Sequence, residues 1–461
     1  MTSHADSLRA ISPLDGRYER LTAPLRDYLS EMALMKYRCL VEIEYFIALS
    51  KEKKIKEFPP LSLPIQKKLR GIVSSFSLTD AKRVKTIEKT TNHDVKAIEY
   101  FLREKISHLP CKKYQHFLHF ALTSEDINNI AYSLMWRDAV QKVYLPILKD
   151  IHIDLVNKAH AWSTIPLLSL THGQSATPTT LGKEFAVYCE RLLKPTHQLY
   201  FHAYTGKLNG ATGTWAAHTL AYPGIHWIEF SKRFIKNLGL YPNLLTTQVE
   251  GNDSLAESFF ILSRINTILI DLAQDIWLYC SRGVFGLHRK KGEVGSSTMP
   301  HKINPIHFEN AEGNLKLANA LLLHLATTLP VSRLQRDLSG STQIRNIGIP
   351  LAYSLIACQN MRIGMTRVSP NTNICANELE NHPEVLAEAI QTVLRKHGSQ
   401  EAYEELKKLT RGLTLSTQDV RVLIDRLPLP KSEKQKLIRL KAQDYRGIAD
   451  TLAQSVKPLT F

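Results

Sequence analysis

Asn252-Asp-Ser-Leu-Ala-Glu-Ser-Phe-Phe-Ile-Leu-Ser-Arg-Ile-Asn-Thr-Ile-Leu-Ile-Asp-Leu-Ala-Gln-Asp-Ile-Trp-Leu-Tyr-Cys-Ser-Arg282 contains neither glycine nor proline. Leu255, Phe259, Leu262, Ile265, Leu269, Leu272, Ile276 and Tyr279 recur at steps of three and four, the period of one helical face. Ser254 and Glu257 have the spacing of a capping box at its start. At 1.5 Å per residue the spacing predicts a helix roughly 45 Å long. Phe260, Ile261, Ile268, Ile270 and Trp277 fall on other sides, so this helix needs apolar neighbours all round. That demand points to a bundle of long helices that continues across subunits.

Working outward, the rest of the chain agrees. Leu29 to Leu49 is free of glycine and proline, with Met32, Met35, Cys39, Val41, Ile43 and Phe46 at helical spacing. Gly313 to Pro330 and Pro350 to Cys358 read as further bundle helices, and Pro146 and Pro195 should kink otherwise helical stretches. No long run of alternating β-branched residues appears, so the predicted fold class is all-α. Composition shifts suggest three helical domains: 1–112, a central long-helix bundle at 113–366, and a small C-terminal domain at 367–461 that opens at the turn Ser369-Pro370-Asn371.

The 461 residues are 44% hydrophobic and 22% charged, as in a soluble globular protein. No apolar run approaches membrane-spanning length and the N-terminus lacks a signal-peptide pattern, so a cytoplasmic protein is expected. The six cysteines are widely scattered, and there is no H-E-x-x-H or G-x-G-x-x-G; no metal and no cofactor are expected. The formal charge is +16, with lysines gathered at Lys51–Lys56 and Lys431–Lys441. No aromatic residues interleave them, which favours a solvated basic surface over a nucleic-acid platform.

Chemistry concentrates in a few clusters. Gly292-Glu-Val-Gly-Ser296-Ser297-Thr-Met-Pro-His-Lys302-Ile-Asn304-Pro305 cannot be a continuous helix or central strand, and it offers hydroxyls, backbone N–H groups and one ammonium. Such a loop suits an anion, although a serine-rich loop is more often merely solvated. Asn92 and Asp94 are good cap residues around His93, which reads either as part of a helix start or as a group facing a substrate. Thr123 with Asp126 has capping-box spacing, and the N–H groups near Ser124 could hold an anion.

Gly295 to Pro305 closely resembles the signature loop of the fumarase/aspartase superfamily, and Met299-Pro-His-Lys302 its adenylosuccinate lyase branch. Asp15-Gly-Arg17-Tyr18, Thr90-Thr-Asn92-His93-Asp94, Thr123-Ser124-Glu-Asp126, Leu170-Thr-His172-Gly-Gln174 and Arg333 to Arg345 are similar to further clusters of that branch, so the resemblance spans nearly the whole chain. It implies an all-α homotetramer whose active sites each draw on three subunits. It also implies an anti β-elimination that releases fumarate from succinylated purine-pathway nucleotides, with Ser296 as base, neighbouring Ser297 as the main rival for that role, and His172 as acid. His93 and Lys302 complete the catalytic set. The resemblance places Arg17, Tyr18, Asn92, Asp94, Arg336, Ser341, Thr342 and Arg345 around the nucleotide. Thr123, Ser124, Gln248, Ser297, Asn304 and Asn310 go with the rest of the substrate. Small-molecule purine nucleotides are the expected partners, with no nucleic acid and no membrane.

The signature loop alone does not separate this branch from sister enzymes such as argininosuccinate lyase; Arg17-Tyr18, Asn92-His93-Asp94 and Arg336/Arg345 are what favour a nucleotide. A catalytically idle relative is the alternative of another class. Two positions depart from the branch: Ser175 stands where proline is common, which should loosen the loop carrying His172, and Ser339-Gly340 replaces Thr-Asp ahead of Ser341. Arg333 is the arginine expected to pair with Asp337 rather than with substrate.

Overall fold

The computed structural model describes residues 8–288, 292, 298, 299, 301–399, 401, 404 and 416–460. Its principal helices are α1 (Glu31–Ser50), α2 (Leu78–Thr91), α3 (Asp94–Ile106), α4 (Ser124–Ala139), α5 (Leu145–Ala161), α6 (Leu181–Tyr200), α7 (Asp253–Ser281), α8 (Ile306–Thr328), α9 (Ser339–Ile344), α10 (Gly348–Met365), α11 (Thr372–Glu380) and α12 (Ala387–Lys396). The all-α reading holds, with one substantial exception. β1 (Pro166–Thr171) and β2 (Gln174–Thr180) form an antiparallel hairpin. Two shorter pairings, Thr205–Gly206 with Tyr241–Pro242 and Phe285–Leu287 with Val368–Pro370, tie loops together.

The long helix predicted first is α7, and Leu255, Phe259, Leu262, Ile265, Leu269, Leu272 and Ile276 are all nearly inaccessible. Phe260, Trp277 and Leu278 stay exposed at 47%, 41% and 51%. The Ser254–Glu257 capping box does not form. Helix α7 begins one residue earlier, and the Ser254 hydroxyl instead accepts from the Thr205 N–H at 3.1 Å. At Pro146, which has no N–H to give and crowds the preceding turn, the chain widens into a π-helical turn over Val140–Tyr144. Helix α6 runs through Pro195 without ending.

The chain separates into two compact units. The first comprises Met1–Ile147, Pro195–Thr267 and Asn314–Ala357. In it α1 packs on α4, and aromatic rings fill the core: Phe58 lies between Phe46 and Phe117 with centroids 4.6 and 4.9 Å away, and Trp136 meets Phe259 edge-on at 4.8 Å while its indole N–H donates to Ser258. The second comprises Leu148–Lys194, Ile268–Gly313 and Cys358–Phe461. Here Trp162 touches Phe185 and Phe285, with ring centroids 5.0 and 5.5 Å away. Gly182 starts α6 hard against α5: a Cβ there would sit 2.3 Å from the Ala159 carbonyl oxygen, so only glycine fits. A separate apolar cluster of Ile390, Leu394, Val420, Ile424 and Leu437 holds the C-terminal helices.

Candidate active site

Within the first unit the helix ends converge on a cavity of about 370 Å³. Asn92, His93, Asp94, Ser124, Arg336, Ser341 and Arg345 line it, seven residues brought together from three distant stretches of sequence. Local chemistry explains their placement. Asn92 terminates α2 in the left-handed region (φ 49°), a conformation asparagine tolerates well. The N-cap of α3 is then His93 itself, whose Nδ1 accepts from the Lys96 N–H at 3.1 Å. An acceptor nitrogen carries no proton, so the neutral ring bears its hydrogen on Nε2, the nitrogen 3.5 Å from the Ser124 hydroxyl. His93 therefore presents a donor to the cavity.

Ser124 and Glu125 are fixed by the start of α4. Asp126, fully buried, accepts from the Thr123 N–H at 2.9 Å, forming the expected capping box, and from the Asn209 N–H at 3.0 Å. The Lys207 ammonium, also fully buried, sits 3.1 Å from the same carboxylate. Burial drives the lysine's pKa down while Asp126 opposes the shift, so the pair holds the helix start only because both charges are satisfied.

The arginines are held firmly. Arg345 donates to Asp94 at 2.9 Å, and the nearly inaccessible Arg38 donates to the same carboxylate oxygen at 2.8 Å. Burial would raise the Asp94 pKa, but the Arg38 guanidinium, its hydrogen bond and the Val95 N–H hold it down to about 2. Arg336 bonds Gln248 at 2.9 Å and pairs with Glu125 at 3.1 Å. Arg333 pairs with Asp337 at 3.4 Å, as expected from sequence, and the Ser339 hydroxyl donates to the other oxygen of Asp337 at 2.6 Å. Ser339 thus stiffens the turn into α9, next to Ser341.

Other expected residues lie elsewhere. Thr123 and Thr342 flank the cavity rather than line it, and Gln248 reaches it through Arg336. Arg17 lines a separate depression with Arg20 and Arg26, its guanidinium 6.0 Å from the Tyr18 ring. Lys302, Asn304 and Asn310 belong to the second unit, where Lys302 is exposed just ahead of α8 and Asn310 lies within that helix. Ser296 and Ser297 lie outside the described residues. Among the described residues no group of three His, Cys, Asp or Glu side chains could hold a metal ion, and no helix is long and apolar enough to cross a membrane.

His172 also belongs to the second unit, at the tip of the β1–β2 hairpin. Thr171 pairs with Gln174, leaving His172 and Gly173 as a two-residue turn with φ of 52° and 73°. Two positive φ values in a two-residue loop mark a type I′ turn, usually Asn-Gly, so histidine occupies its first position at a conformational cost. The imidazole is exposed. Behind it, Ser175 bonds His382 at 3.1 Å, and His382 bonds Glu384 at 2.7 Å.

Sequence reasoning passed over Arg38, Asn128 and Tyr132, which also line the cavity. Arg38 left little trace, since α1 also carries Glu31, Lys36, Glu42 and Glu44 among its apolar residues.

Comparison with known proteins identifies the family. The family described as Lyase matches residues 16–321, and the family described as Adenylosuccinate lyase C-terminal matches residues 332–446. The fold is shared with a fumarate lyase from Mesorhizobium sp. BNC1 (TM-score 0.74, 18% identity, 94% of this chain and 97% of that one). It is shared too with the 3-carboxy-cis,cis-muconate lactonizing enzyme from Pseudomonas putida (TM-score 0.71, 18% identity, 94% and 95%). Adenylosuccinate lyases of Haemophilus influenzae and Escherichia coli K12 are 47% and 46% identical to this chain, each aligned over 98% of it and 99% of the relative. With nearly every residue accounted for by such relatives, the chain belongs to the adenylosuccinate lyase family, within the fumarase/aspartase superfamily.

Proposed function

We infer that the chain is a fumarate-releasing C–N lyase that cleaves adenylosuccinate to AMP, and the analogous succinylated imidazole-carboxamide nucleotide to its free amide. The observation that carries the reading is the cavity between α3, α4 and α9, with two salt-bridged arginines, Arg336 and Arg345, and the His93 donor on its walls. Such a substrate carries two carboxylates and a phosphate, about −3.5 to −4 in charge, and a wall of fixed guanidinium groups matches it.

The elimination needs a base at the carbon beside a succinyl carboxylate and an acid at the departing nitrogen. Charge accumulates on that carboxylate as the C–H bond breaks, so donors and cations must surround it. We assign Ser296 as the base, its alkoxide stabilised by loop N–H groups and Lys302, and His172 as the acid. His93 donates from Nε2 to the substrate's anionic groups, while Arg345, Arg336 and Ser341 hold the phosphate end. The exposed Phe260, Trp277 and Leu278 of α7 support assembly into a homotetramer in which one subunit's His172 serves another's cavity.

The test is direct. Purified protein should convert adenylosuccinate to equal amounts of fumarate and AMP, with chelator making no difference. Preferential cleavage of argininosuccinate, aspartate or malate would overturn the reading.

A further inference from the structure

Beneath the cavity the polar contacts form an unbroken line. Arg345 Nη2 donates to Asp94 Oδ2 at 2.9 Å, and Arg38 Nη2 donates to the same oxygen at 2.8 Å. Arg38 Nε donates to Asn128 Oδ1 at 2.9 Å, and Asn128 Nδ2 donates to Glu125 Oε1 at 2.9 Å. Glu125 Oε1 lies 3.1 Å from Arg336 Nη2, and Arg336 Nη1 donates to Gln248 at 2.9 Å. The line starts at one cavity-facing arginine and ends at the other. Its centre is Arg38 and Asn128.

Each central residue is suited to its place by chemistry that close analogues lack. Arg38 uses two edges of a planar fork, one toward a carboxylate and one toward an amide; lysine, a point charge on a flexible stem, cannot span both. Its side chain is 3% exposed, so its guanidinium is engaged by Asp94 and Asn128 rather than by solvent. Asn128 accepts with one atom and donates with the other. Aspartate there would set two carboxylates side by side at Glu125.

We propose that Arg38 and Asn128 are positioning residues that lock Arg345 and Arg336 at a fixed separation, so that the cavity is shaped for the anionic ends of one substrate before it binds. This rests on the reading that Arg345 holds the substrate's phosphate. Long arginine side chains lose freedom when they bind, and holding them beforehand removes that cost from association. Lone anions that touch one end only, such as fumarate, gain little from the lock.

The experiment uses the full-length protein and measures steady-state kinetics on adenylosuccinate, with AMP and fumarate as product inhibitors and thermal unfolding as a control for folding. Arg38→Lys should raise KM and the AMP inhibition constant about tenfold, the loss expected for a charge-assisted hydrogen bond, with kcat within about threefold and fumarate inhibition unchanged. Asn128→Ala, a milder change at a half-buried position, should act in the same direction and covers the case in which Arg38→Lys fails to fold. In an Arg345→Ala background, Arg38→Lys should lose most of its effect on AMP, because its path through Asp94 ends at Arg345, whereas Asn128→Ala should keep the part that runs through Glu125 and Arg336. If Arg345→Ala itself leaves AMP inhibition unchanged, the phosphate assignment fails. If it weakens AMP while Arg38→Lys and Asn128→Ala do not, the positioning proposal fails alone. An Arg38→Lys effect that multiplies fully with Arg345→Ala, or changes that weaken fumarate equally, would also overturn it.

Discussion

The arginines of the cavity and the histidine of the hairpin are held in opposite ways. Arg345 and Arg336 are each bonded to a carboxylate, and those carboxylates are bonded onward to the buried Arg38 and the half-buried Asn128. His172 stands exposed at a tip, in a backbone conformation histidine seldom adopts, and among the described residues its ring makes no hydrogen bond or ion pair. The difference matches the tasks proposed for them. A phosphate has the same charge before and after the reaction, so its site can be rigid and fully satisfied in advance. A group that gives up a proton must meet its partner only as charge develops, and a bond to the protein would compete with that partner. The backbone at His172 is left-handed, where asparagine or glycine would fit the turn better than histidine.

That contrast breaks most visibly at His172. Asparagine is well suited to the first position of a type I′ turn, so His172→Asn should raise the unfolding temperature slightly, reflecting about 1 kcal/mol of relieved strain. Fumarate release should fall by about 10²- to 10⁴-fold, the contribution of a positioned acid. A variant that is more stable and still active would make His172 a turn residue and leave the acid unassigned.

The second test asks whether the two kinds of group come from different chains. His172→Ala and Arg345→Ala protein, each nearly inactive at low substrate, would be dissociated, mixed equally and reassociated, with subunit exchange checked by a mass tag. If a site takes His172 and Arg345 from different subunits, each donor is intact half the time, and about a quarter of the sites recover. With exchange shown and no recovery, one chain supplies both, and the shared-site architecture is wrong.

These elements were unequally legible in the sequence. Helix α7 showed itself because its apolar period repeats over many turns, and the cap at Thr123–Asp126 because its residues are three apart. The hairpin escaped. Its strands are six and seven residues long, a register irregularity between Leu167 and Ser169 breaks the alternation, and His-Gly is a weaker turn signal than Asn-Gly. The motif residues Asn92, His93, Asp94 and Ser124 could be named, yet not the reason Asp94 matters to Arg345. Those two stand 251 positions apart, and Arg38 lies 56 from Asp94, distances that no local pattern spans. His93 was expected beside a helix start; that it is itself the cap, which decides its tautomer, required the fold.

The smallest effect is expected at Ser175, and it bears on how far the contrast extends. Ser175 faces Leu170, one step inside the Thr171–Gln174 pair that closes the turn. In a two-residue hairpin the closing pair is hydrogen-bonded and the next is not, so the Ser175 N–H lies outside the ladder and proline removes no bond there. Ser175→Pro loses the hydroxyl's contact with His382, worth about 1 kcal/mol. It gains about 0.4–1 kcal/mol from a stiffer unfolded chain. The two nearly cancel, so the unfolding temperature should move by only a few degrees, and kcat should stay within about twofold if the turn needs no support from behind. A tenfold fall in kcat at unchanged KM and unchanged stability would mean that the His382–Glu384 pair steers His172 through Ser175. The hairpin would then be as firmly braced as the arginines, and the freedom of His172 would belong to its ring alone.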